Sequence, residues 1–373
     1  MSTAPRSIHS IAAALDEEPL ARIMFGQREL FHSNLLAWFY EKLPVPADRV
    51  FDDLSPAADV GHPRAAEREQ DHIDLVLWRP DRQPIALENK VFALPDMAQL
   101  DRYSAILDRW QGVEPSRVLL SASGGGGQVK ESADGGLPVL PNGWRVLTYL
   151  ELGNRIDTAL AGENASYEVE TMRRYAIVCR LIDALIGHTA ITDGDDEPVW
   201  LRQQDLEPIS SRQVKASLHK VRARRVAQYL EAVIDVGWFG GNLSHGQPLV
   251  EWAETTQRDG EDINVGWQYQ EGQFRRFVVI PHLEARGLEA KARREEWARS
   301  HPDLFDFTAL SAALGDSPQK HVMRGGKVYG HFDPDFIYQY VKKSDLTLGN
   351  LVAASRTLAA ALDSTEDPIS LPL

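Results

Sequence analysis

The N-terminal part of the chain takes its fold from the stretch IDLVLWRPDRQPIALENK, residues 73–90. In its first half Ile73, Leu75 and Leu77 alternate with Asp74, Val76 and Trp78, a turn follows at residues 79–82, and a second strand is predicted over residues 84–91. A side-chain period of two is typical of a β-strand, because successive side chains point to opposite faces of a sheet. The stretch therefore predicts a β-hairpin.

Three charged residues of this hairpin predict a chemical site. Glu88 and Lys90 are two residues apart on one strand and share a face. On the other strand, Asp74 lies on the face opposite to that of its neighbours Ile73 and Leu75. The right register brings all three together, and a lysine is rarely buried unless it is paired. Two carboxylates suit a hard cation such as Mg²⁺, and a neighbouring lysine can activate water and stabilise charge on a phosphate. The alternative is a solvated strand face with a surface ion pair worth about 0–1 kcal/mol.

These residues also carry a family resemblance. Asp74, followed after 13 residues by Glu88-Asn89-Lys90, resembles the D…(D/E)xK signature of the PD-(D/E)XK nuclease superfamily. Gln99 and Tyr103 match the QxxxY motif of its RecB-like and exonuclease-like branches, and their spacing places both on one helix face. The resemblance covers residues 26–150, and residues 28–38 resemble the opening helix of stand-alone bacterial members. Residue 73 is isoleucine, where the superfamily's name has proline.

The resemblance implies an α/β fold with a restriction-endonuclease-like core, in which a mixed central sheet is flanked by helices. It implies phosphodiester hydrolysis, in DNA first and with RNA left open, that depends on Mg²⁺ or Mn²⁺. Asp74 and Glu88 would be metal ligands and Lys90 the catalytic lysine, while Gln99 and Tyr103 would support the site or touch the DNA backbone. Endonuclease and exonuclease action both stay open, and a role in defence against foreign DNA or in DNA processing is expected.

One further acid of the metal site stays open between candidates. Glu29 lies in the first helix of the resemblance, and Glu67 and Glu69 lie in the segment before Asp74. Glu69 falls on a predicted strand or strand edge, and Glu29 requires its helix to lean over the sheet. Glu29 and Glu69 are favoured over Glu67 as metal ligands.

The pattern around the hairpin predicts the other elements of the N-terminal part. A Pro-rich loop is expected from Pro44 to Pro63, and His32-Ser33-Asn34 is expected to cap or open a helix. The periodicity predicts short strands at 118–120 and 146–147 and helices at 29–43, 95–110, 149–162 and 165–188.

Composition shifts divide the chain into three parts. Residues 1–190 are expected to form the nuclease-like domain that the resemblance implies, and residues 191–208 an acidic linker. Residues 209–373 are expected to form an additional α+β C-terminal domain for specificity or partner binding. The pattern in the last part predicts a helix at 212–236, strands near 263–281 and 321–331, and helices near 335–342 and 346–362.

A basic segment stands out in a chain of net charge −14. Residues 209–230 contain six lysines and arginines and no acid. On a helical wheel Arg212, Lys215, His219 and Arg222 lie opposite the apolar positions, so they are predicted to bind DNA phosphates. The alternative is a solvated helix face balanced by acidic neighbours.

Composition bounds the remaining function classes. With 43% hydrophobic and 25% charged residues among 373, the chain has the composition of a globular protein, and no apolar run of about 18 residues predicts a membrane span. The first ten residues lack an apolar signal core, which predicts a cytoplasmic protein. The single cysteine, Cys179, excludes a disulfide framework and a Cys-based zinc site. A homo-oligomer or a partner protein stays open, as does a second function: a binding module without turnover, or one gated by a partner, on a nuclease-like fold.

Overall fold

The computed structural model describes residues 7–24, 28–125, 129–132, 136–280, 287–315, 320–321, 327–332 and 335–363. The chain is mixed α/β and forms two compact units. The first unit comprises Met1–Ala190 and Arg202–Val221, and the second comprises Ile191–Leu201 and Arg222–Leu373. Within the described ranges, no helix is both long enough and apolar enough to cross a membrane.

The first unit is built on a five-stranded sheet with the order β1-β2-β3-β4-β5. The strands are β1 to β5 in chain order: Ala65–Gln70, Ile73–Arg79, Arg82–Lys90, Ser116–Ser121 and Arg145–Thr148. Its helices are α1 to α8, followed by the start of α9: Ile8–Glu17, Pro19–Met24, Arg28–Lys42, Pro44–Phe51, Met97–Leu107, Tyr149–Ala159, Tyr167–Gly187, Gln203–Leu206 and Arg212–Val233. Strands β1 to β3 pair antiparallel, whereas β3, β4 and β5 pair parallel, so the predicted mixed sheet is confirmed.

The predicted hairpin is formed by β2 and β3, with Leu75 opposite Leu87 and Leu77 opposite Ile85. Both strands are buried along most of their length because helices cover both faces of the sheet. Helix α5 covers one face and begins after Asp96, whose side chain accepts a hydrogen bond from the backbone nitrogen of the third helical residue. The apolar core beneath it contains residues from α5 and from β2 to β5.

Helices α3, α6 and α7 also belong to this unit. Helices α6 and α7 approach closely at Gly153, where a Cβ atom would lie only 2.8 Å from the carbonyl oxygen of Ala176. The predicted Pro-rich loop is wrong at its start, because residues 44–51 form α4. Pro44 and Pro46 fall in the first turn of α4, where backbone N–H groups have no partner within the helix.

The second unit holds a six-stranded antiparallel sheet with the order β10-β11-β9-β8-β7-β6. The strands β6 to β11 are, in chain order, Trp238–Ser244, Gln247–Arg258, Glu261–Gln270, Gln273–Val279, Gly330–His331 and Phe336–Lys342. The rest of α9 belongs here, with α10, α11 and α12: Gly287–Ser300, Ser311–Leu314 and Leu348–Asp363. Trp252, Trp267 and Phe274 share its core with Leu351 and Leu358 of α12.

Several predicted elements of the C-terminal part differ from the structure. The helix expected near 335–342 is wrong, because FIYQYVK pairs along its whole length with β9 as a strand, as its aromatic and β-branched residues favour. The expected strand at 263–281 is a hairpin, β8 and β9, that turns at Glu271 and Gly272, both with positive φ. Of the strand expected at 321–331, residues 322–326 lie outside the described residues and 330–331 form β10.

The predicted acidic linker is divided between the two units. The backbone nitrogen of Val199 donates to the Leu346 carbonyl at 3.0 Å, and that of Leu348 donates to the Glu197 carbonyl at 2.9 Å. These bonds tie residues 191–201 into the second unit, while 202–208 belong to the first. The predicted boundary after residue 190 coincides with the end of the first unit's long segment.

Candidate active site

The three signature residues lie where β2 and β3 separate. Leu75 pairs with Leu87 at the end of the hairpin away from its turn. Asp74 and Glu88 follow that pair and lie opposite one another. Alternate residues of a strand share a face, and the neighbouring residues on this face pack into the core beneath α5. Asp74, Glu88 and Lys90 therefore share one end and one face of the sheet, as the sequence predicts.

The Asp74 carboxylate is held by the backbone of the opposite strand. The backbone nitrogen of Asn89 donates to Asp74 Oδ2 at 2.7 Å. Asn89 is fully buried and Asp74 is half-buried. A hydrogen bond from a backbone N–H favours the ionised form of a carboxylate, so the contact stabilises the negative charge that a cation ligand needs.

Lys90 and Glu88 form a buried ion pair. Lys90 Nζ lies 2.8 Å from Glu88 Oε1, with only 12% and 2% of the two side chains exposed. The alternative of a solvated surface pair is therefore wrong for these residues. Removing two charges from water costs several kcal/mol per ion, and their attraction offsets that cost only in good geometry.

Gln99 and Tyr103 are joined to each other on α5. Gln99 Nε2 donates to Tyr103 Oη at 2.8 Å, one helical turn apart. Both side chains are half-buried, and Tyr103 packs against the apolar core of the face that carries Glu88 and Lys90. The motif therefore lies on the helix that covers the predicted site.

Two candidates for the additional acid lie on β1. Glu69 lies opposite Asp74, because the residues before and after it pair with the residues on either side of Asp74 in β2. However, Glu69 is exposed and adopts a φ of +56°, a left-handed backbone that few non-glycine residues adopt. Glu67 accepts a hydrogen bond from Trp78 Nε1 at 3.2 Å, so its carboxylate is engaged two strand positions away from the site.

The third candidate, Glu29, belongs to α3, but its side chain lies outside the described residues. Across the part of the chain that the structure describes, no group of three or more His, Cys, Asp or Glu side chains is placed to hold a metal ion. Asp74 and Glu88 supply two carboxylates. This set fits Mg²⁺, which usually binds one or two carboxylates and keeps several waters.

A buried polar network lies on the opposite face of the sheet, behind the site. Tyr149 Oη donates to Asn89 Oδ1 at 2.5 Å, and the ring of His32 meets that of Tyr149 edge-on at 4.9 Å. His32 Nδ1 lies 2.9 Å from Tyr175 Oη. Burial lowers the pKa of His32 to about 3, so the imidazole is neutral, and burial raises the pKa of Tyr175 well above its usual range.

Sequence reasoning missed this network. His32-Ser33-Asn34 is predicted to cap or open a helix, but His32 lies inside α3 and is fully buried. Asn89 occupies the variable position of the ExK motif, and no chemical role is expected of a residue at that position. The alternation of β3 gives one usable signal, since it places Asn89 on the apolar face, where a buried amide requires hydrogen-bond partners.

The basic segment forms α9, but its predicted face is not continuous. Arg212 is exposed, Lys215 and His219 are half-buried, and Arg222 is 1% exposed. The prediction that Arg222 lies on an outer face is wrong, because its guanidinium pairs with Glu197 Oε1 at 2.8 Å. Burial and the nearby Lys215 lower the pKa of His219, so this residue adds no charge at neutral pH. Phosphate binding by Arg212 and Lys215 stays a prediction.

Comparison with known proteins adds no relative: no family model, curated protein or solved structure matches the chain.

Proposed function

We propose that the chain is a divalent-metal-dependent nuclease that hydrolyses phosphodiester bonds in DNA. The observation that carries this proposal is the buried Lys90–Glu88 pair beside Asp74 at the point where two strands separate. The mixed sheet supports it, since an antiparallel hairpin followed by two parallel strands and flanking helices is compatible with a restriction-endonuclease-like core.

Asp74 and Glu88 are the proposed ligands of Mg²⁺ or Mn²⁺. Both present carboxylate oxygens, which are the ligands that hard cations prefer. When bound, such a cation lowers the pKa of a water molecule and offsets charge on a phosphate. Glu69 and Glu29 remain candidates for a further ligand, either directly or through water.

Lys90 is the proposed catalytic lysine. Glu88 holds its ammonium group at 2.8 Å, which fixes the position of a donor beside the carboxylates. From there Lys90 can donate hydrogen bonds to the attacking water and to a phosphate oxygen that gains charge in the transition state. Gln99 and Tyr103, joined on α5, are proposed to support this face or to touch the DNA backbone.

Arg212 and Lys215 are proposed to bind DNA phosphates from the first turn of α9. Such contacts are independent of base sequence and weaken as salt releases counterions. The second unit is proposed to supply specificity or to bind a partner, and defence against foreign DNA or DNA processing is the proposed setting.

The test is cleavage of circular and linear DNA with Mg²⁺ or Mn²⁺ by the wild type, Asp74→Asn and Lys90→Met. The Asp74→Asn change keeps an oxygen that can accept the Asn89 N–H bond and removes the charge. We expect each variant to lose cleavage by about 10²–10³-fold, the usual cost of removing one transition-state contact. Glu67→Gln is the matched control, because it neutralises an acid on the same sheet that is engaged by Trp78.

Each outcome has a distinct meaning. Cutting of circles shows an endonuclease, cutting of linear DNA alone shows an exonuclease, and an RNA substrate tests the sugar preference. Variants that cleave like the wild type contradict the proposed site. A folded wild type that cleaves neither nucleic acid contradicts the nuclease and favours the binding module.

A further inference from the structure

We propose that Asn89 and Tyr149 are positioning residues that set the metal-binding geometry of Asp74 from the far side of the sheet. This inference rests on the proposed function, because it concerns the same carboxylate. It adds residues that lie outside the D…ExK and QxxxY motifs.

Asn89 connects the two faces of the sheet. Its backbone nitrogen holds Asp74 Oδ2 at 2.7 Å on one side, and its side-chain oxygen accepts the Tyr149 hydroxyl at 2.5 Å on the other. It also stands between Glu88 and Lys90 in the strand. A rotation of the chain at Asn89 therefore moves all three signature residues at once.

Tyr149 is itself fixed by its surroundings. It is the first residue of α6, directly after β5, and it is fully buried. The ring of His32 from α3 packs edge-on against it, and His32 in turn contacts Tyr175 of α7 at 2.9 Å. Three helices thus hold the hydroxyl that orients Asn89.

Residues that orient metal ligands control metal affinity without touching the metal, and losing one typically costs 10–100-fold in affinity or activity. In Tyr149→Phe the ring still fills its place, but Asn89 Oδ1 loses the hydrogen bond from the Tyr149 hydroxyl. The Asn89 amide is then less firmly oriented, so we expect the backbone N–H that holds Asp74 Oδ2 to fix that carboxylate less precisely.

The experiment measures Mn²⁺ binding to the full chain without substrate, by electron paramagnetic resonance of free Mn²⁺, and then cleavage as a function of Mn²⁺ concentration. We expect Tyr149→Phe to weaken Mn²⁺ binding 10–100-fold and to recover cleavage at raised Mn²⁺. Tyr40→Phe is the matched control, because Tyr40 is a buried tyrosine whose hydroxyl donates to the Trp78 carbonyl at 3.0 Å, at the other end of β2. It should leave the Mn²⁺ affinity unchanged.

The outcomes separate the inference from the proposed function. If Asp74→Asn abolishes Mn²⁺ binding while Tyr149→Phe binds like the wild type, the positioning role is overturned and the metal site stands. Equal weakening by Tyr149→Phe and Tyr40→Phe also overturns it, because the effect is then general loosening. If the wild type binds no Mn²⁺, or Asp74→Asn binds as well as the wild type, the metal site fails, and the positioning role fails with it.

Discussion

Each unit of the molecule buries an ion pair, and the two pairs differ in what they connect. Lys90–Glu88 in the first unit joins side chains two residues apart on one strand. Arg222–Glu197 in the second unit joins α9 to the segment 191–201, across 25 residues of sequence. The Arg222 guanidinium also donates to the carbonyl oxygens of Val199, at 3.0 Å, and Pro198.

The difference separates a structural pair from one for which we propose a chemical role. A buried ion pair by itself is weak evidence for stability, because desolvation can exceed the attraction. Arg222 has a structural explanation, since one guanidinium satisfies a carboxylate and two carbonyls of another segment. The Lys90–Glu88 ion pair joins two residues of one strand, and its position beside Asp74 supports the proposed chemical role.

The largest stability effect should come from breaking the structural pair. We expect Arg222→Met to lower the free energy of unfolding by about 3–5 kcal/mol, because Glu197 and two backbone carbonyls lose their donor. Urea unfolding followed by tryptophan fluorescence measures the change. Arg212→Met, an exposed position on the same helix, should stay within about 0.5 kcal/mol of the wild type. Similar losses in the two variants would refute the structural role.

Replacing both members of each pair sharpens the comparison. We expect Glu88→Leu/Lys90→Met to match the wild type in unfolding free energy or to exceed it by about 1–4 kcal/mol, while DNA cleavage is lost. Glu197→Leu/Arg222→Met should remain destabilised, because Glu197 also accepts the backbone N–H groups of Thr192 and Asp193. Chemical denaturation of both double variants gives the result. A strong loss of stability in the first double variant would make Lys90–Glu88 structural.

The sequence predicts the side-chain arrangement of the candidate site in the first unit better than that of the basic helix. The period of two in residues 73–90 gives the hairpin and the shared face of Asp74, Glu88 and Lys90, because strand alternation is a local property. The charge of Arg222 gives no such information. A helical wheel shows which residues share a face but not which segment covers that face, and residues 191–201 cover it.

Long-range pairing accounts for the other differences. The helix predicted near residues 335–342 is a strand in the structure. A short run of mixed polarity such as FIYQYVK fits either period, and its partner β9 lies more than 50 residues away. The polar network behind the site depends on contacts between His32, Asn89, Tyr149 and Tyr175. Four elements supply these residues, so no local pattern reveals their contact.

The smallest expected effect is a change in how the free energy of unfolding depends on pH, and it tests the buried polar network of the first unit. The pKa of His32 falls from 6.5 to about 3 on folding, so the unfolded chain binds more protons than the folded chain between these values. The stability contributed by neutral His32 is therefore complete above pH 6.5 and is lost as the pH falls toward 3, by up to about 1.4 kcal/mol per pH unit. We expect His32→Gln, which keeps a polar partner for Tyr175, to show a shallower loss of unfolding free energy between pH 6.5 and 4.5. His9→Gln removes an exposed histidine and should keep the wild-type slope. Equal slopes in all three proteins would mean that folding does not lower the pKa of His32, and the burial of a neutral imidazole behind Asn89 would then be wrong.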